Sequence, residues 1–86
     1  MLYRYSVHAL SEMKQRNIPR ELVESVLANP EQIIPELHGR RVYQSKVDFG
    51  TEQLFLLRIV VADNIEPAIA VTVYRTSKIS KYWRTE

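Results

Sequence analysis

Apolar positions follow two rhythms along the chain, helical in the first third and strand-like after it. Val7, Leu10 and Met13 recur at helical spacing, and Lys14, Gln15 and Arg16 follow on the polar side. Ser6 stands before them as a good N-cap, and Leu2, Tyr3 and Tyr5 predict a short edge strand ahead of it. Asn17 suits the end of this helix, and Ile18-Pro19 opens a second one with proline at or near its first turn. Glu21 complements the positive end of that second helix. Leu22, Val23, Val26 and Leu27 form a one-sided stripe, the mark of a helix lying on something flat, and Asn29-Pro30 stops it.

The remainder reads as strands. Ile33 and Ile34, set between prolines, predict a short extended piece, and His38-Gly39 a turn. The run Arg41-Val42-Tyr43-Gln44-Ser45-Lys46-Val47 alternates as a strand does, and Phe49-Gly50-Thr51 reads as a hairpin connection. Leu54 to Ala62 is apolar except at Arg58, which predicts a central strand covered on both faces or nearly so. Asp63-Asn64 opens the next turn, and Ala68 to Arg75 makes the last strand. Two helices followed by a meander predict an α+β fold, with both helices packed on one face of a small antiparallel sheet. No internal repeat, low-complexity tract or linker divides the chain, so residues 1–86 read as one domain.

Composition narrows the class. A hydrophobic share of 45% and a charged share of 26% belong to an ordinary globule and exclude wholesale disorder. The longest apolar run is four residues, far short of the roughly 18 that a membrane span needs. The start, Met1-Leu2-Tyr3-Arg4-Tyr5, lacks the apolar core of a secretory signal, so the expected location is the cytoplasm. With no cysteine, disulfides, thiolate nucleophiles and cysteine-held metals are excluded. The formal charge is only +2, yet Arg75, Lys78, Lys81 and Arg84 follow Pro67 with no acid until Glu86. Beside Tyr74, Tyr82 and Trp83, this basic end is either a surface for an anionic ligand or a solvated tail.

The common catalytic signatures are missing. Only Gly39 and Gly50 exist, too few for a phosphate-cradling loop; His8 and His38 stand alone; the acids form no dyad. Chemistry would therefore rest on arginine, lysine and tyrosine, which points toward phosphate, with no metal or cofactor implied. Arg58 is the most informative residue, because an unpaired charge inside an apolar strand is costly. Strand parity puts it with Leu56 and Val60, opposite Phe55, Leu57, Ile59 and Val61. Either it reaches the rim or a carboxylate such as Asp48, or it binds phosphate on the sheet's free face. Arg75 ends the last strand and Lys46 lies within an earlier one; were they to converge with Arg58 across one face, a lysine set beside two arginines would have the lowered pKa that a base requires. Arg40 and Arg41 follow a turn and are either simply exposed or phosphate contacts. Tyr74 divides between core and ligand contact, and Trp83 between capping the core and stacking a nucleotide. His8, in the first helical turn, is expected to make a structural hydrogen bond to a neighbouring strand or the chain end.

Several segments together resemble a known family. Tyr5-Ser6-Val7-His8-Ala9-Leu10, Met13, Arg16-Asn17-Ile18-Pro19 and Val26-Leu27-Ala28-Asn29-Pro30 resemble the bacterial domain-of-unknown-function 4258 family. Gly39-Arg40-Arg41-Val42-Tyr43, Val71-Thr72-Val73-Tyr74-Arg75-Thr76-Ser77 and Lys81-Tyr82-Trp83 fit the same family. That family is similar to the RelE/ParE-like toxins, α+β proteins with two helices on a small antiparallel sheet. The resemblance implies a toxin-type, metal-independent endoribonuclease, whose substrate RNA is often met on the ribosome. By strand order Lys46 becomes the base, Arg58 and Arg75 stabilise charge on the phosphorane, and Tyr82 orients the phosphate or stacks a base. Arg40, Arg41, Lys78, Lys81 and Arg84 are then the RNA contacts. The alternative is a non-catalytic module of the same fold that engages an antitoxin-like or other protein partner.

Overall fold

The computed structural model describes residues 3–85. Strand β1 (Arg4–Tyr5) leads into helix α1 (Val7–Gln15), and a tight turn leads into helix α2 (Arg20–Ala28). Strands β2 (Gln32–Pro35), β3 (Arg41–Asp48), β4 (Leu54–Ala62) and β5 (Ile69–Thr76) follow, and a single turn of helix, α3 (Ile79–Tyr82), comes last. The expected edge strand thus forms at Arg4 and Tyr5, whereas Leu2 lies outside the described residues.

Local chemistry accounts for the helix ends. The Ser6 side chain accepts from the Ala9 amide at 2.9 Å, closing the first turn of α1. Asn17 takes the left-handed conformation, φ 54°, that reverses the chain after α1. Pro19 is the N-cap of α2, and Asn29 ends that helix. One expectation fails here. Val7 is 84% exposed and Leu10 43%, so of the three periodic positions in α1 only Met13 enters the core. Ala9 joins it, because the Ser6 cap is tied to β5 and turns that side of the helix inward. The small Ala9 side chain suits the close approach of helix to strand.

The sheet order is β1-β5-β4-β3-β2. Strands β2 to β5 form an antiparallel meander, but β1 runs parallel to β5, pairing Arg4 with Ile69 and Tyr5 with Ala70. The sheet is therefore mixed and not antiparallel throughout. A hairpin would force antiparallel neighbours; β1 instead meets β5 across both helices and the whole meander. Ala9, Met13, Ile18, Val23, Val26 and Leu27 pack on Tyr43, Leu57, Ile59, Val61, Ala70 and Val73, which share one face of the sheet. The opposite face also buries residues, among them Val42, Gln44, Leu56 and Arg58. Its cover comes from α3 and the extended residues after it, an element with no periodic signal in the sequence.

A register shift decides which side chains meet. From Ala62↔Ile69 and Val61↔Ala70 the pairing jumps to Val60↔Thr72, leaving Val71 as an extra residue in β5. Beyond this bulge every β5 side chain is turned over relative to an uninterrupted ladder. The Ser6 hydroxyl donates to the Val71 carbonyl at 2.7 Å, so the helix cap also ties down the bulge. No helix among the described residues is long and apolar enough to cross a membrane.

Candidate functional site

One rung of the sheet is polar from the outer strand to β5. The register sets Gln32 opposite Gln44, Gln44 opposite Arg58, and Arg58 opposite Tyr74. All four lie on the face that α1 and α2 leave open. Arg58 is only 6% exposed and Gln44 is fully buried. The Arg58 Nε donates to Gln44 Oε1 at 2.8 Å, and its Nη1 donates to the Tyr74 hydroxyl. Gln44 Nε2 in turn donates to Gln32 Oε1 at 2.8 Å and to the Tyr82 carbonyl at 3.3 Å. Among the described residues, the ion pairs are Arg16–Glu12, Arg20–Glu24 and Arg41–Asp63, and none involves Arg58. Asp48, the carboxylate expected as a partner for Arg58, instead accepts from the Gly50 amide at 2.7 Å.

The C-terminal residues form the roof. The Tyr82 ring lies 4.2 Å from the Arg58 guanidinium carbon, and the Tyr74 ring stands edge-on to Tyr82 at 6.5 Å. The Lys46 ammonium, on the same face as Gln44, sits 4.1 Å from the Trp83 ring. Each such cation–ring contact contributes about 0.5–2 kcal/mol, more where water is excluded. Gln32 grips the backbone of Arg84 at both ends, donating to its carbonyl at 2.6 Å and accepting from its amide at 3.1 Å. Lys46, Arg58 and Tyr82 thus share one face with Tyr74 and Trp83.

Arg75 does not join them. It pairs with Leu57 on the helix-covered face, and its guanidinium lies over the rings of Phe49 and Phe55 at 4.5 and 5.1 Å. Were Val71 paired with Val60 in an unbroken ladder, Arg75 would stand opposite Leu56 on the face of Arg58; the bulge puts Tyr74 on that face instead. Arg41 is also engaged elsewhere, donating to Asp63 Oδ2 from Nε at 2.8 Å and Nη2 at 2.6 Å. The Tyr43 hydroxyl donates to the same oxygen at 2.8 Å. These bonds, Arg41's foremost, hold the Asp63 carboxyl below its ordinary pKa, while burial above all pushes the Tyr43 phenol up. Arg40 is exposed in the turn before β3, and Lys78, Lys81 and Arg84 are exposed around α3.

The His8 side chain is exposed and makes no hydrogen bond among the described residues, so the structural bond expected of it belongs to Ser6. Gln44 and Gln32 carried no signal in the sequence beyond alternation within strands. A groove of about 440 Å³ between α2 and β3 is lined by Ser25, Glu31, Ser45 and Asp48 among others. Its polar groups already serve local backbone: Ser45 accepts from the Glu31 amide at 3.0 Å, and Glu31 from the Lys46 amide at 2.7 Å. No cluster of three metal-ligating side chains occurs among the described residues.

The family profile described as domain of unknown function (DUF4258) matches residues 5–75, from the last residue of β1 to one residue short of the end of β5. The chain belongs to the DUF4258 family. No curated protein and no solved structure gives a match. The DUF4258 match contains Gln32, Gln44, Lys46, Arg58 and Tyr74, whereas Tyr82, Trp83 and Arg84 lie beyond its end.

Proposed function

We propose that this DUF4258 domain is a cytoplasmic, metal-independent endoribonuclease of the RelE-like toxin type. The observation that carries the reading is a buried guanidinium whose partners among the described residues are all neutral, on the face of the sheet away from α1 and α2, roofed by aromatic rings. A cation held this way retains its charge for an incoming phosphate, and Arg58 is the anchor. The substrate's 2′-oxygen attacks the adjacent phosphorus, the bond to the 5′-oxygen breaks, and a cyclic phosphate and a 5′-hydroxyl result. Lys46 takes the 2′ proton, and the leaving 5′-oxygen takes a proton from water. Arg58 stabilises the charge that develops on the phosphorane oxygens. Tyr82 stacks a base or orients the phosphate, and Lys78, Lys81 and Arg84 draw in the RNA backbone. Arg75 has no part in this, because it lies on the other face.

The test is incubation of the protein with labelled RNA, with and without ribosomes. Cleavage by the wild type and its loss in Arg58→Ala, at an unchanged fold, support the reading. Exposed Val7 and Leu10, one helical turn apart on α1, favour a second reading, a binding module for an antitoxin-like partner. Absence of cleavage together with co-purification of a partner that Val7→Ser and Leu10→Ser release would establish that reading instead.

A further inference from the structure

We propose that the neutrality of Gln44 keeps Arg58 available as the receptor for an external phosphate-class oxyanion. The proposal rests on the reading of the Arg58 face as the phosphate site and names the residue that makes it one.

A buried arginine on a sheet is ordinarily neutralised by a carboxylate across the strand pair, which stabilises the cation and consumes its charge. Here the directly opposite residue is an amide. Gln44 Oε1 accepts from Arg58 Nε at 2.8 Å, the geometry a glutamate would also offer, with one atom changed and one unit of charge missing. The other end of the guanidinium meets a phenol, Tyr74, likewise uncharged. A guanidinium has five N–H donors in a fixed fork. Two are used by Gln44 and Tyr74; among the described residues Nη2 makes no hydrogen bond, and no buried side-chain polar atom lacks a partner. Nη2 therefore keeps a small accessible surface in a residue that is 6% exposed, beside the Tyr82 ring that lies 4.2 Å from the guanidinium carbon. The Gln44 amide does a second task with its nitrogen. It donates to Gln32 Oε1 and to the Tyr82 carbonyl, so one fully buried group sets both the plane of the guanidinium and the position of the ring above it. A glutamate in its place would supply no donor for those two oxygens.

Inorganic phosphate is the probe, titrated while the Arg58 Nε–H resonance is followed by NMR in the wild type, Gln44→Glu and Gln44→Leu. The expected result is a saturable shift in the wild type and binding about tenfold or more weaker in Gln44→Glu, as one opposing charge a few ångströms away dictates at a partly screened site. Gln44→Leu, which removes the acceptor and adds no charge, is expected to retain binding to within about threefold. The closer mimic in shape thus does the greater harm, which a merely structural role would reverse. No titration of Arg58 in the wild type, wild-type binding in Gln44→Glu, or equal loss in both variants would overturn the proposal. If Gln44→Glu fails to fold, the wild type and Gln44→Leu decide alone, and loss of titration in Gln44→Leu overturns it. Phosphate binding without any RNA cleavage would sink the ribonuclease reading and leave this inference standing.

Discussion

Replacing Ser6 with alanine removes one oxygen that serves two partners on different elements. Its acceptor role closes the first turn of α1 through the Ala9 amide at 2.9 Å, and its donor role ties the Val71 carbonyl of the bulge at 2.7 Å. Loss of the cap costs about 1 kcal/mol. Loss of the second bond, at a half-buried carbonyl, costs about 1 kcal/mol more. For a chain of 86 residues, a total of about 2 kcal/mol lowers Tm by about 8–16 °C. Urea unfolding of the wild type, Ser6→Ala and Ser6→Thr measures it, the threonine keeping the hydroxyl and most of the stability. His8→Ala belongs in the same series, because the exposed His8 side chain bonds to none of the described residues and its loss should stay within about 0.5 kcal/mol of the wild type. A Ser6→Ala loss under about 0.5 kcal/mol, or a larger loss for His8→Ala, would refute the assignment of this joint to Ser6.

Asp63 titrates below its unfolded value because Arg41 and Tyr43 donate to it, so its contribution is full above about pH 4 and disappears as pH falls through the lower folded value. Asp63→Asn should flatten the acid limb of a stability–pH curve, and an unchanged limb would contradict the pairing. At the alkaline end the raised pKa of Tyr43 works in the opposite sense: stability is full below about pH 10 and falls as pH rises, and Tyr43→Phe should blunt that fall. Arg75→Ala should leave RNA cleavage per folded molecule unchanged while Arg58→Ala slows it steeply; equal losses would place both on one working surface.

Much of the fold was legible because local signals agreed with one another. The Ser6 cap, the Asn17 reversal, the Pro19 start and the Asn29-Pro30 stop are short-range chemistry, and all four sit where the spacing put them. Parity along β4 was legible as well: Arg58 lies with Leu56, away from Leu57 and Ile59. What distance along the chain hides is register between strands. A single extra residue at Val71 exchanges Tyr74 for Arg75 beside Arg58, and no composition or period marks it. The parallel β1, set by the fold's closure and not by a hairpin, was hidden for the same reason. Helix α3 is one turn long, below the length at which periodicity speaks, yet it carries Tyr82 onto the guanidinium. Gln44 was invisible because an amide in an alternating strand looks like any outward-facing polar residue until its burial is known.

The most direct measurement is the rate and end chemistry of RNA cleavage in the presence of EDTA, wild type against Arg58→Ala, each confirmed as folded by its thermal transition. The account predicts products ending in a 2′,3′-cyclic phosphate and a 5′-hydroxyl, undiminished by the chelator. It predicts a rate about 10²–10³-fold lower once Arg58 is gone, the scale of one preorganised charge contact at a transition state. Cleavage that requires a divalent metal, or that proceeds equally well in Arg58→Ala, would contradict the assignment of the open face of this sheet as the site of phosphate chemistry.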